Sequence, residues 1–305
     1  MTHKRKPVRI FAVSGWDAVP AALVVIQFAL ILAFALSWWR LNWLERGLGL
    51  ALYAFSVGWN LNSVAHNFIH NPFFTSKAAN RVVSYLISWS LITPQTMYHY
   101  VHLWHHAGNA DYPDAAGRTV DPLSIYQFGA DRKPEPLWSY VFLQYFRDDD
   151  PFTLAKKIRS RRPRDADQAM REFWTIVIVW GVFLIIAWPF ALLGLFASYL
   201  GQCLSNLSGY YEHLGGKPDE PMAWGVSTYA PLYNFVFMNN GYHAEHHYRP
   251  RHHWTQMKAL HLSIAEAQRE KGVFVIGPAH WLGFFEPKTW KVAVAEKRVE
   301  KAKKS

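Results

Sequence analysis

The chain has 305 residues, 51% of them hydrophobic and 16% aromatic, with a mean hydropathy of -0.06, a formal net charge of +10 and one cysteine, Cys203. One cysteine excludes an internal disulfide, a zinc–cysteine site and a built-in iron–sulfur module; the hydropathy suits a few membrane spans beneath a large polar cap. The positive charge flanks apolar runs without a helix-turn-helix or zinc-finger pattern, so anionic lipid or an acidic protein, not nucleic acid, is the expected partner.

In chain order, the basic start Met1-Thr2-His3-Lys4-Arg5-Lys6 precedes an apolar run with no small-residue cleavage site after it, which reads as a retained anchor. A helix needs about 20 apolar residues to cross a bilayer. Residues 19–39 meet this, closing on the interfacial Trp38-Trp39-Arg40; residues 47–65 form a second candidate. Residues 82–97 are shorter and serine-bearing, as expected of an interfacial or partly buried stretch. Residues 173–188 and 190–211 form the third and fourth candidates, with Pro189 suggesting a tight hairpin between them. The expected architecture is all-α: four transmembrane helices, interfacial helices and a helical cap from residues 66–172 and 213–287, with a basic tail from 288 to 305, all in a single domain spanning 1–305.

Four spans leave both termini and the two long loops on one side, where 30 of the 32 Lys and Arg residues then lie. That asymmetry places the cap and both termini in the cytoplasm, expected of a multi-pass protein of a bacterial inner membrane.

The cap side carries three histidine clusters: His66 and His70; His102, His105 and His106; His243, His246 and His247. Residues three and four apart share a helix face, so each cluster can aim imidazoles at one ion, and the adjacent pairs let one cluster reach two. A lone histidine at a helix end is ordinarily solvated or a cap, and one His-x-x-x-His pair is unremarkable. Three clusters beside apolar elements are harder to explain without a shared cation. Imidazole suits iron, zinc, copper or nickel alike.

The order and spacing His-x-x-x-His, His-x-x-His-His, His-x-x-His-His resemble the membrane fatty-acid desaturase and hydroxylase superfamily, the histidine-box non-haem diiron proteins, from about His66 to His253. Gly209-Tyr210-Tyr211-Glu212-His213-Leu214-Gly215 resembles the corresponding motif of membrane alkane hydroxylases and adds His213 as a ninth ligand. The resemblance implies two iron ions, dioxygen as co-substrate, a long-chain lipid substrate and an oxidoreductase activity. Fatty acyl desaturation is the first expectation. Hydroxylation of an alkane, fatty acid or carotenoid and alkene-forming decarboxylation use the same boxes. A metal transporter or sensor is the non-enzyme alternative, but it needs ligands or acids along the spans. Without a haem-domain signature or cysteine cluster, the electrons are expected from a separate ferredoxin-, rubredoxin- or cytochrome-type donor with its reductase. The run Arg159 to Arg164 and the Lys-rich tail are candidate docking sites for it, or for anionic lipid.

Metal-bound imidazoles usually donate their second ring N–H to a carboxylate or carbonyl. Glu212, Glu245, Asp111 and Asp114 are the candidates; Glu245 is expected to turn away and orient His246 or His247, and Asn239 and Asn240 either bridge to a metal through water or cap a helix. His99, His252, His253, His261 and His280 fall outside the pattern and are expected in supporting, structural or exposed positions. Trp59, Asn60, Asn62, Gln202, Ser205 and Asn206 lie deep in the spans, as tunnel wall or as interhelical hydrogen bonds.

Overall fold

The computed structural model describes residues 9–108, 119–129, 133–147 and 149–292. Asp111, Asp114, the first eight residues and most of the basic tail lie outside them. Twelve α-helices form the described chain: α1 (Ala18–Ser37), α2 (Trp43–Leu61), α3 (Val64–His70), α4 (Lys77–Leu91), α5 (Gln95–Ala107), α6 (Leu137–Arg147), α7 (Pro151–Arg159), α8 (Pro163–Ile186), α9 (Trp188–His213), α10 (Pro231–Val236), α11 (His243–Tyr248) and α12 (Met257–Lys271). The expectation of a purely helical cap needs one amendment. Val226–Thr228 (β1) and Phe274–Ile276 (β2) pair in parallel, with Ser227 opposite Val275.

Three stretches among the described residues are long and apolar enough to cross a membrane: Gly15–Arg40, Pro163–Ile186 and Trp188–His213. The second expected span, 47–65, differs. Its helix starts earlier, at Trp43, takes in Glu45 and Arg46, and stops at Leu61 before Asn62 and Ser63. Those polar residues lower its apolar character. The third begins ten residues earlier than its apolar run because Pro163 opens the helix. The hairpin turns at Ala187, with Pro189 already in the first turn of α9.

Helices α1, α2, α8 and α9 form one bundle. At one end, the Trp39 indole N–H donates to the Ile186 carbonyl at 2.8 Å, joining the α1–α2 turn to the α8–α9 turn. At the other end, buried Asp17 receives His253 Nε2 at 2.9 Å and the Trp254 N–H at 3.2 Å, tying the start of α1 to the chain beyond α11. Helices α2 and α9 cross closely on two glycines. A Cβ on Gly58 would lie 2.8 Å from the Gly201 carbonyl oxygen, and one on Gly201 2.6 Å from that of Ala54. Small residues permit such an approach. Asn60 bonds Gln27 of α1 across the bundle, and its Oδ1 accepts from Ala65 N–H at 3.1 Å.

Residues 82–97 do not form one helix. The chain breaks at Ile92, which takes a left-handed conformation (φ 56°), and Pro94, so α4 enters the bundle and α5 leaves it. Trp89 lies 5.3 Å from Phe28 in the middle of α1. The carbonyls freed at the break are taken up by neighbours: Trp89 by the Trp180 indole (3.0 Å), Ser90 by Tyr53 (2.8 Å) and Leu91 by Ser198 (3.0 Å). The start of α5 is satisfied likewise. Gln95 N–H reaches Ser88 Oγ at 2.9 Å, and Thr96 N–H reaches buried Glu172 at 2.7 Å. Glu172 also accepts from Ser84 (2.6 Å), the Thr96 hydroxyl (2.8 Å) and Gln168 (3.0 Å). Buried backbone groups at a helix break need such partners. This re-entrant hairpin sets the depth of α5, which carries the second histidine cluster.

Candidate metal centre

Four elements present the nine histidines at one end of the bundle. Helix α3 carries His66 and His70 one turn apart, α5 carries His102, His105 and His106, α9 ends on His213, and α11 carries His243, His246 and His247. They separate into two groups. In the first, His66, His70, His102, His106 and His246 hold ring nitrogens within 4.8 Å of one another; in the second, His105, His213 and His247 do. His243 joins the second, with Nε2 at 3.2 Å from that of His213 and 2.9 Å from that of His247.

Within the first group, Nε2–Nε2 separations are 2.9 Å for His102–His70 and His106–His102, and 3.0 Å for His246–His106 and His66–His246. A neutral imidazole has one N–H and one lone pair. His66 Nδ1 faces Asn240 Oδ1 at 3.0 Å, an acceptor, so the proton sits on Nδ1 and the Nε2 lone pair points into the group. His105 Nδ1 faces buried Asp121 at 2.8 Å in the same way. Burial, reinforced by neighbouring imidazoles, holds His70, His102, His106, His246 and His247 well below the usual histidine range, and His66 down to about 4. These rings are therefore neutral, and because one Nε2 carries either an N–H or a lone pair, the contacts that His102, His106 and His246 each make with two neighbours cannot all be hydrogen bonds. A divalent cation fits that donor set. The second ring nitrogens of His106, His213, His243 and His247 are buried with no hydrogen-bond partner among the described residues.

The supporting residues differ in part from those expected. Asn240 faces His66, and its amide donates to Glu212 Oε1 at 2.7 Å; Ser208 donates to the same oxygen at 3.0 Å. Glu212 lies 3.8 Å from His243 Nδ1 and 3.6 Å from His280 Nδ1. Glu245 turns away from His246 and His247. Its carboxylate takes Ser227 (2.7 Å), Tyr229 (2.9 Å) and His261 (2.6 Å), anchoring α11 to β1 and α12. Asn239 reaches the Trp254 carbonyl at 2.9 Å, away from the imidazoles. Asp121 and Trp224 were not singled out in the sequence. Trp224 is buried, with its ring 3.9 Å from that of His247. His280 is buried and donates to the Val226 carbonyl at 2.9 Å, and His253 holds Asp17.

A cavity of about 590 Å³ reaches both groups, touching His66, His102, His105, His213 and His243. Its wall has a large apolar share, and Asn62, Gln202, Ser205 and Asn206 are among its polar residues. Gln202 donates to Thr93 Oγ1 (3.0 Å), Ser205 to Asn62 Oδ1 (3.0 Å) and Asn206 to the Val141 carbonyl (3.2 Å), so these residues both bond between elements and line the space.

The model of one family, fatty acid desaturase, matches residues 41–278. The chain belongs to the fatty acid desaturase family. The match covers all nine histidines, α2, α8, α9 and both strands, and begins after α1. No curated protein matches the chain. Membership implies an oxidoreductase with a lipid substrate and a membrane context, and the two histidine groups could hold metal.

Proposed function

We propose that this protein is an oxygen-dependent diiron oxidoreductase that acts on a long acyl chain, most simply by desaturation. The observation that carries the reading is the convergence of nine imidazoles at the inner end of one cavity. His66, His70, His102, His106 and His246 would hold one ion, and His105, His213, His243 and His247 the other. Iron bound there supplies, with dioxygen, the oxidising power against an unactivated C–H bond that no side chain has. The remaining work belongs to this chain. Asn240 and Asp121 hold the tautomers of His66 and His105. The cavity wall excludes water and holds one stretch of the chain beside the imidazoles.

Four crossings, with both termini and the site in the cytoplasm of a bacterial inner membrane, complete the reading. Support for α2 as a crossing comes from its 19 residues, about 28 Å long against the ~30 Å of a bilayer core. Its start also lies beside that of α9, where Trp39 bonds Ile186, and its Gly58 packs on Gly201. The single unit from 1 to 305 takes its electrons from a separate ferredoxin-, rubredoxin- or cytochrome-type donor.

The test is expression with such a donor and its reductase, followed by mass spectrometry of the cellular lipids. Loss of two hydrogens per chain is expected. A gain of one oxygen identifies hydroxylation, and loss of the carboxyl carbon identifies decarboxylation. Unchanged lipids together with fewer than two irons per chain reject the proposal.

A further inference from the structure

The cavity is not closed on the membrane side. Val177 of α8 and Leu195 of α9 both line it, yet they are 47% and 45% exposed on the outer face of the bundle. Tyr145, at the end of α6, lines it as well and is 43% exposed. Phe173 lines the same edge and packs against exposed Phe152 of α7 at 5.7 Å. The edge of the opening is thus apolar and aromatic, and continuous with the outward faces of α8 and α9.

Its depth can be read from the helices. Val177 and Leu195 lie about 15 and 12 Å from the hairpin turn at Ala187, so the deep end of the slot is near the middle of the bundle. Along α9, Leu195 is about 27 Å from His213. The slot therefore runs from the α6–α7 junction, near the cap, down to mid-depth. One leaflet of a bilayer occupies about 15 Å of the ~30 Å core, the same range.

The mouth on the cap side is different. A polar cavity of about 580 Å³ adjoins the first through Val101, Asp149 and Leu154. Among the described residues three cations line it, and two are already paired: Arg147 with Glu135 at 2.6 Å, and Lys157 with Asp149. Asp150 adds a negative charge to the neighbouring rim. Among the described residues this leaves Arg161, too little surplus charge to grip a soluble polyphosphate carrier.

Building on the reading of the site as a lipid oxidase, we propose that the substrate is a membrane-resident lipid whose acyl chain enters sideways from its own leaflet, through the slot between Tyr145, Phe152, Phe173, Val177 and Leu195. Its headgroup stays at the interface while the chain swings in to the histidines.

The experiment needs no turnover. The full-length protein is reconstituted in vesicles containing a phosphatidylcholine with a diazirine on one acyl chain, irradiated and mapped by peptide mass spectrometry. A diazirine acyl-coenzyme A is tested in parallel. The expected result is labelling of cavity residues such as Met97 and Trp180 by the vesicle lipid. In Val177→Trp and Leu195→Trp that labelling should fall at least ten-fold. Both changes are at exposed positions, so the bundle retains its packing, and iron content should match wild type. The proposal is overturned if label appears only on outward residues such as Trp174, Ile178 and Leu192, if the tryptophan variants label like wild type, or if only the acyl-coenzyme A probe reaches the cavity. Because labelling is scored apart from lipid oxidation, the slot and the oxidase chemistry can fail separately.

Discussion

The two imidazole groups are built from the same residue type, yet their surroundings differ. In the first group His70, His106 and His246 are half-buried, and the outer partner of His66 is a neutral amide, Asn240. In the second, all members are buried, the Asp121 carboxylate accepts from His105, and the ring of Trp224 covers His247. A charged acceptor makes the imidazole it holds a stronger donor to metal than an amide does. The lesson is one of division: a sheltered, carboxylate-backed site beside a more accessible one, both opening on the same cavity.

The hardest blow to that division is removal of one ligand from each side. His105→Ala and His246→Ala should each abolish turnover while the protein still inserts. Iron analysis should find about one ion lost in each, the sheltered one in His105→Ala and the accessible one in His246→Ala. Full activity in either variant rejects the site. Next come the outer partners. Asp121→Asn should weaken metal binding by about 10–100-fold, and Asn240→Ala by about the lower end of that range; competition with a graded chelator measures both. Equal losses would erase the contrast between carboxylate and amide.

A change at Glu172 should affect both groups together, because α5 supplies ligands to each. Glu172→Ala strands Thr96 N–H and its neighbours at a cost of about 1–3 kcal/mol. A lower melting temperature is expected, with iron falling in parallel at both sites. Acid gives a further comparison. Burial lowers His66 and His280 from 6.5 to about 4. Between those values the unfolded chain binds more protons than the native one. The stability that these two rings contribute to the metal-free protein should therefore be complete above about pH 6.5 and fall as pH drops toward 4. Thermal melts across that range check it, and His280→Gln should flatten part of the fall. The smallest effect is expected at Arg161, Arg162 and Arg164. Reversing their charge should slow donor-driven turnover several-fold and leave peroxide-driven turnover unchanged.

Much of this arrangement was legible as pattern. Long apolar runs mark α1, α8 and α9, because a crossing helix needs nothing more intricate than length and hydropathy. The histidines stand out because three- and four-residue spacing is a local property of helices. Their division into five and four was not legible. It depends on the angles at which α3, α5, α9 and α11 meet. The re-entrant turn at Ile92–Pro94 looked like a short apolar stretch, since the side chains that satisfy its backbone, Tyr53, Glu172, Trp180 and Ser198, come from remote segments. Asp121 escaped notice because it lies 16 residues beyond His105, at no helical spacing from it. Glu245 misled for the opposite reason: it sits beside ligands in the chain, but the helix aims it at Ser227, Tyr229 and His261.

The clasp between Asp17 and His253, and the 140 residues separating His106 from His246, also bear on biogenesis. At roughly 5–20 residues per second, a ribosome needs about 7 to 30 seconds to add the last imidazoles after the earlier ones have emerged. During that interval the nascent polypeptide displays an incomplete chelator with no lid. Whatever ion it first captures is provisional, and the final choice falls to the moment when the C-terminal third folds down over the N-terminal helix.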